Sequence, residues 1–263
     1  MKKLISIDIF ADFGMLKKPD TNEPVYLTFN MLHKPALIGI LGAIIGESGF
    51  KEKGVLPDYY LKLNDLKVGI QPLNHENGNF QKTVITYNNT TGMASKETGG
   101  NLMVTEQMLV APAYRCYFLF DLDNETHKKA DENLSKYYAE YLPYLGKNEF
   151  SVWWKDYKVY ENFSEFEPIG SFKINSIYVK DVPLKDLKDN EAVTNYDPIF
   201  DEKPEGYTFS YFERLPIAYM DIGKKNYQYD YQSFAFTDWS LKLKNKNSNL
   251  LLKTIEHGII QVF

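Results

Sequence analysis

HKPALIGILGAIIGESGF, residues 33–50, has the apolar density of a buried helix and three glycines, Gly39, Gly42 and Gly46, inside the same run. Each glycine costs about 1 kcal/mol against alanine in a helix interior, so the helix must gain something by keeping them. They stand at i, i+3 and i+7, a spacing that puts all three on one helical face. A face without side chains lets another backbone approach closely. The partner can be the sheet beneath, a second subunit or a nucleic-acid backbone, and close helix-on-sheet packing is the plain reading. Pro35 suits the first turn, and the helix ends near Gly46 or Ser48, with Gly49 beyond. Free N–H groups at the helix start can hold a phosphate beside Lys34, or can be met by water or a cap. The apolar run Pro35–Gly46 is too short to span a bilayer, so membrane pairing through the glycine face is excluded.

Strands flank this helix. KLISIDIFA (3–11) is β-branched and loosely alternating, a first strand. A polar and aromatic loop covers 12–33. LKVGIQPL (66–73) is a second strand. FQKTVITY (80–87) and LMVTEQMLV (102–110) enclose NNTTGMASKETGGN, the tip of a hairpin-like insertion at about 78–107. AYRCYFLFDL (113–122) is a buried strand. Residues 125–142 carry Leu134, Tyr137, Tyr138, Tyr141 and Leu142 at helical spacing, with Pro143 as a stop. NEFSVWW (148–154) follows as a strand. The order β-α-β-(insertion)-β-α-β is that of a ferredoxin-like, RNA-recognition-like domain over residues 1–154. Residues 155–263 read as a smaller β-rich C-terminal lobe of short strands punctuated by proline, with an irregular loop at 185–206. The fold class is therefore α+β.

The 263-residue chain is 44% hydrophobic and 25% charged, the composition of an ordinary globular protein that can bury a core. Its 20 Tyr, 17 Phe and 3 Trp suit β-rich packing. The single cysteine, Cys116, rules out an internal disulfide, and with four scattered histidines it leaves little for a structural metal site. No cofactor motif is present: no P-loop, dinucleotide fingerprint or zinc-protease helix. Asp8 and Asp12 interrupt the only stretch resembling a secretory leader, so the reading is a cytoplasmic protein without a membrane partner. The net charge of −5 argues mildly against a nucleic-acid binder driven by overall charge. It is uneven: residues 1–120 carry 12 Lys/Arg against 11 Asp/Glu, and residues 121–263 carry 18 against 24. An anionic partner would fit the first half better.

Four segments carry a resemblance. KPALIGILGAIIG after the first strand and loop, EQMLVAPAYRCYF (106–118), YLGKNEF (144–150) and YFERLPIAY (211–219) resemble, in order, the fifth Cas protein family, CRISPR-associated proteins of the RAMP superfamily. The overall style is most similar to the type I-B branch. The resemblance implies a non-catalytic subunit that caps one end of the Cascade surveillance complex. It implies binding of the 5′ handle of the guide (CRISPR) RNA, contacts to the large subunit and the first backbone subunit, and target DNA met only through the guide. It also implies that the insertion is a β-hairpin thumb.

With that expectation, candidate RNA-binding residues can be named, each beside a plainer reading. Lys17 and Lys18 meet handle phosphates or are solvated charges, and Lys34 neutralises a phosphate or points to water. Tyr114 and Arg115 are strand neighbours, so one faces outward. Tyr114 is a stacking platform or core, and Arg115 an RNA contact or an ion-pair partner. On the thumb, Lys82, Tyr87 and Lys96 line the guide and Met93 wedges at the tip, or the loop touches nothing. Gly146 and Lys147 form a turn near RNA or a plain turn. Most tyrosines are read as core packing. The alternative function is a metal-independent endoribonuclease processing repeat RNA, for which His33, Lys34 and Tyr26 sketch a crude site. The strand YRCYF lacks the lysine–histidine pair of the cleaving branch. A third reading is a pure assembly protein.

Overall fold

The chain is described by a computed structural model covering residues 1–19, 24–89, 102–181, 194–199, 208–244 and 250–263. In chain order its main elements are β1 (Lys2–Phe10), α1 (Lys34–Ile45), α2 (Asp58–Leu63), β2 (Lys67–Leu73), β3 (Lys82–Asn89), β4 (Leu102–Val110), β5 (Ala113–Asp121) and α3 (Glu125–Ser135). There follow β6 (Trp153–Tyr160), β7 (Ser210–Asp221), β8 (Tyr227–Thr237), β9 (Leu250–Thr254) and β10 (Gly258–Val262). The structure is mixed and mostly β. Among the described residues no helix is long and apolar enough to cross a membrane.

The alternation of β1 sets the layers. Ile5, Ile7 and Ile9 are buried on one side, and Leu4, Ser6, Asp8 and Phe10 belong to the other. The central sheet has the order β2-β5-β1-β6, and every neighbouring pair is antiparallel. The isoleucines, with Val68, Ile70, Cys116 and Phe118, pack against Leu37, Leu41 and Ile44 of α1 and Leu134 of α3. The same cluster takes in Val179, Leu215, Phe234 and Phe263, so both halves of the chain share it. The opposite face is covered by β9 and β10: Leu252, Ile260 and Val262 lie on Leu4, Tyr117, Leu119 and Tyr160. The outer edge of β2 is occupied too. Val68 N–H donates to Phe263 O (3.2 Å), Phe263 N–H to Val68 O (3.0 Å), and Ile177 N–H to Ile70 O (2.7 Å). No long stretch of that edge is left to recruit a foreign strand.

Between β2 and β5, which are neighbours in the sheet, the chain makes the expected excursion. β3 and β4 form an antiparallel ribbon from Lys82↔Leu109 to Asn89↔Leu102. Apolar side chains on both of its strands meet water, Val84 being 55% and Met103 58% exposed. Its root is tied to the body by Phe13–Gly14, which pairs with Leu109 and Val110, and by a small cluster of Met15, Met108 and Phe150. Met93 and Lys96 lie outside the described residues, as does most of the 185–206 loop.

Several sequence expectations need correction. The glycine face of α1 meets a helix, not the sheet. A Cβ on Gly42 would overlap Cβ of Tyr59 on α2, whereas one on Gly39 would sit 3.7 Å from the same ring, in ordinary van der Waals contact. Gly46 has φ +77° and terminates the helix. The second long helix stops at Ser135 rather than 142, and Tyr137 takes φ 53°. The reason is that the following segment caps α1: Glu140 N–H donates to Ile44 O (3.1 Å) and Tyr141 N–H to Ala43 O (3.0 Å). Ile44 O is a carbonyl that the helix end leaves without an intrahelical partner, and Ala43 O accepts from Gly46 N–H as well, at 3.2 Å. Tyr137, Tyr138 and Tyr141 are consequently exposed rather than core. The last core strand, β6, starts at Trp153 rather than 148 and runs across position 154. The expected loop at 12–33 contains short strands, Leu16–Lys17 pairing with Thr28–Phe29. β7 and β8 form one long ribbon, with a register shift between Pro216 and Ala218, where Pro216 has no N–H to give.

Gly42→Ala is expected to lower unfolding stability by about 1–3 kcal/mol through overpacking against Tyr59. Gly39→Ala is expected to be neutral or to stabilise by up to about 1 kcal/mol. Denaturant melts of the two variants check this, and equal effects would refute the packing described.

Candidate nucleic-acid interface

Next to the glycine face, α1 borders an open cleft of about 500 Å³. Its lining includes Lys17, Gly39, Tyr59, Tyr144, Tyr219 and Tyr229. Tyr219 and Tyr229 also line a second hollow of about 850 Å³, with Lys18, Arg214, Tyr227 and Tyr231. The two hollows therefore meet along one groove. Gly39 keeps its wall free of a side chain. The β7–β8 ribbon supplies the rings: Tyr219 and Tyr229 are cross-strand partners, stacked at 5.0 Å with 24° between planes. Tyr219 N–H donates to Tyr60 Oη (2.8 Å), fixing the ribbon on α2. Burial pushes the Tyr59 phenol up to about 12, so its hydroxyl stays a neutral donor at physiological pH. Cations rim the groove. Lys17 Nζ lies 3.7 Å from the Tyr26 ring centre, and the exposed Arg214 guanidinium 5.0 Å from that of Tyr231. Ring faces beside cations suit bases stacked in series along a phosphate backbone.

Asn30, next in sequence to the groove residue Phe29, is 2% exposed. Its Nδ2 donates to Gly78 O, its Oδ1 accepts from Phe80 N–H and Lys82 Nζ, and its O accepts from Tyr114 Oη at 2.6 Å. Glu213 of β7 accepts from the N–H groups of Asn30 and Met31, from Tyr211 Oη and from Lys18. One polar knot thus joins the root of the β3–β4 ribbon, the sheet and the β7–β8 ribbon.

The sequence-predicted residues divide accordingly. Lys17, Lys18 and Gly39 line the groove. Lys18 is also ion-paired with Glu213 at 3.4 Å, and Lys82 belongs to the Asn30 knot, where burial lowers its pKa. Lys147 sits at the ribbon root, bound to Glu106 (2.6 Å), Glu149 (3.1 Å) and Tyr87 Oη (3.3 Å). Tyr114 is 0% exposed, so its stacking-platform reading is corrected: its ring packs edge-on to Phe80 in the core. Arg115 faces the other side of the sheet, in a two-pronged ion pair with Asp8 (2.6 and 2.7 Å). Lys34 is also corrected. It is buried, reaches Phe263 O at 3.3 Å, and burial brings its pKa down to about 8. The helix start is met by a cap instead, His33 Nδ1 accepting from Ala36 N–H. Among the described residues no group of His, Cys, Asp and Glu could hold a metal ion.

Sequence reasoning missed Arg214, Tyr219, Tyr229 and Tyr231. The signal was present in YQYDY: Tyr227, Tyr229 and Tyr231 recur every second residue, which puts them on one face of a strand.

No protein-family model matches the sequence, and no curated protein matches it. The fold is shared with a CRISPR protein from Archaeoglobus fulgidus, at 10% identity and TM-score 0.53, covering 100% of this chain and 99% of that one. Weaker likenesses are to a chain of a CRISPR RNA-guided surveillance complex (12% identity, TM-score 0.48, 92% and 91% covered) and to a chain of a type III-B Cmr-beta complex bound to cognate target RNA (10% identity, TM-score 0.49, 98% and 99% covered).

Burial lowers the His33 pKa from 6.5 to about 3. Between these values the unfolded chain holds a proton there that the folded chain does not. The stability this group contributes is full above pH 6.5 and is lost as pH falls toward 3. His33→Asn keeps a capping acceptor and removes the titration. The difference in unfolding free energy between wild type and variant is expected to be flat above about pH 7 and to fall with a limiting slope of about 1.4 kcal/mol per pH unit below it. Parallel curves across that range would refute this role for His33.

Proposed function

We propose that this chain is a non-catalytic, RNA-binding subunit of a CRISPR effector complex, and that its groove takes guide RNA. The observation that carries the reading is the place of that groove. It runs between α1 and the β7–β8 ribbon, walled by tyrosines and bordered by Lys17 and Arg214, on a fold shared end to end with a CRISPR protein. The sheet order, with helices packed on one face, supports reading the first half as a ferredoxin-like domain, and the β3–β4 ribbon as its thumb.

Within that reading the bound segment is the 5′ handle of the guide. Its phosphates meet Lys17 and Arg214, and its unpaired bases stack on the Tyr219–Tyr229 wall. A handle of constant sequence suits a built groove, whereas target DNA is met through guide pairing. The neighbours in the complex are a backbone subunit and a large subunit, in the manner of a type I-B Cascade. A local cationic rim serves in an acidic protein because phosphate binding depends on near charges, those farther than a Debye length being screened. The non-catalytic part of the proposal is supported at His33, where Nδ1 already accepts from Ala36 N–H and the ring is buried.

Co-expression with a CRISPR array, followed by sequencing of co-purified RNA, tests the function. The expected result is short RNA with a constant 5′ end. Lys17→Glu with Arg214→Glu is expected to reduce retention at least ten-fold. It should also flatten the dependence of log affinity on log salt, by about 0.7 for each phosphate no longer neutralised by a cation of the groove. RNA of random 5′ sequence, or retention unchanged by the reversals, would overturn it. Specific scission of repeat RNA by the purified protein would overturn the non-catalytic assignment.

A further inference from the structure

Among the described residues the β9–β10 hairpin lies over only part of the second face of the central sheet. β9 and β10 are five residues each, against nine for β1 and β5. The hairpin covers the rows containing Leu4, Tyr117, Leu119 and Tyr160, and His257 in its turn closes the covered part, edge-on to Tyr117 and Tyr160. Among the described residues two rows lie past the hairpin, and they are open at their β6 end: Asp8 and Ala113 are buried, and Arg115 also meets His257 at 3.1 Å. One row aligns Gln71, Arg115, Asp8 and Lys155, and the other aligns Leu73, Ala113, Phe10 and Trp153.

Trp153 is 46% exposed and its indole lies nearly parallel to Phe10, at 6.4 Å and 18°. The Trp154 N–H is satisfied by Leu134 O, whereas Trp153 makes no hydrogen bond through its side chain among the described residues. Lys155 is exposed, holds its Nζ 4.6 Å from the Phe10 ring centre and has no ion pair among the described residues. Asp8 is neutralised by Arg115, so it does not cancel that charge. Gln71 Oε1 accepts from Tyr117 Oη at 2.9 Å, which leaves its NH₂ for another acceptor.

We infer that this uncovered end is a second nucleic-acid contact, separate from the groove, where an unpaired base stacks on Trp153 while Lys155 meets the adjoining phosphate. An exposed ring and an ammonium at i and i+2 on one face of β6 are the parts such contacts use. A protein partner fits less well, because the neighbouring row is ionic and interface cores are depleted of charge. The inference does not rest on the groove, and Arg115, singled out from the sequence for RNA, holds the strand row in shape here through Asp8.

The test uses the full chain carrying Lys17→Glu and Arg214→Glu, so that groove binding does not enter. Tryptophan emission is followed during titration with a short single-stranded RNA, the DNA of the same sequence and the corresponding duplex. Trp154 and Trp239 are shielded and act as internal references. Quenching by both single strands, and weaker quenching by the duplex, is expected. By fluorescence anisotropy of a labelled strand, Trp153→Ala should weaken binding about ten-fold or more, Trp153→Phe should restore part of it, and Lys155→Glu should weaken it with a smaller salt dependence. Unmoved emission at saturating oligonucleotide, equal affinity in Trp153→Ala, or loss of a protein subunit from the complex with oligonucleotide affinity intact would each overturn the inference. None of these outcomes bears on guide retention in the groove.

Discussion

Asn30 uses its side chain, its N–H and its carbonyl at once, in a site almost closed to water. A buried amide left partly unpaired would be costly, whereas a fully satisfied network rigidifies what it joins. Here it joins the segment before α1, the root of the β3–β4 ribbon, the sheet strand carrying Tyr114 and, through Glu213, the β7–β8 ribbon. Two ribbons that emerge from opposite halves of the chain are thereby held in one orientation. Through Glu213 the knot also reaches Lys18, which lines the groove beside β7.

The sheet imposes the complementary constraint. β1 carries apolar residues toward both sides, and both sides must leave water. Helices take the side of Ile5, Ile7 and Ile9, and the β9–β10 hairpin takes the side of Leu4. A sheet covered this way cannot offer its central strand to RNA along its whole length, which is why Tyr114 and Arg115 serve structure. What stays accessible lies farther out, along α1 and the β7–β8 ribbon on one side and at Trp153 and Lys155 on the other. Charge follows the same logic: Lys34, Lys82, Arg115 and Lys147 are committed to internal partners, and Lys17, Arg214 and Lys155 are left near the surface.

Much of the fold was legible locally. Period-two patterns at β1, β2 and β5, the capped apolar run of α1, and the polar glycine-rich break between β3 and β4 depend on neighbours in sequence. Each was readable to within a few residues. Tyr137 to Leu142 misled because helical spacing cannot reveal that the backbone there is required to cap another helix. The tyrosines of YQYDY were visible as an alternating set, but whether such a set faces a core or a groove depends on what packs above it.

The sequence by itself determined the layered β-α-β order, the inserted ribbon and the one-sided glycine spacing, because backbone propensity and periodicity act over a few residues. Only the tertiary structure decided that Gly42 receives Tyr59, that Asn30 and Glu213 close one knot 183 residues apart, and which cations stay near the surface. Those outcomes depend on desolvation and on hydrogen-bond partners from distant parts of the chain, and no local pattern encodes where they meet.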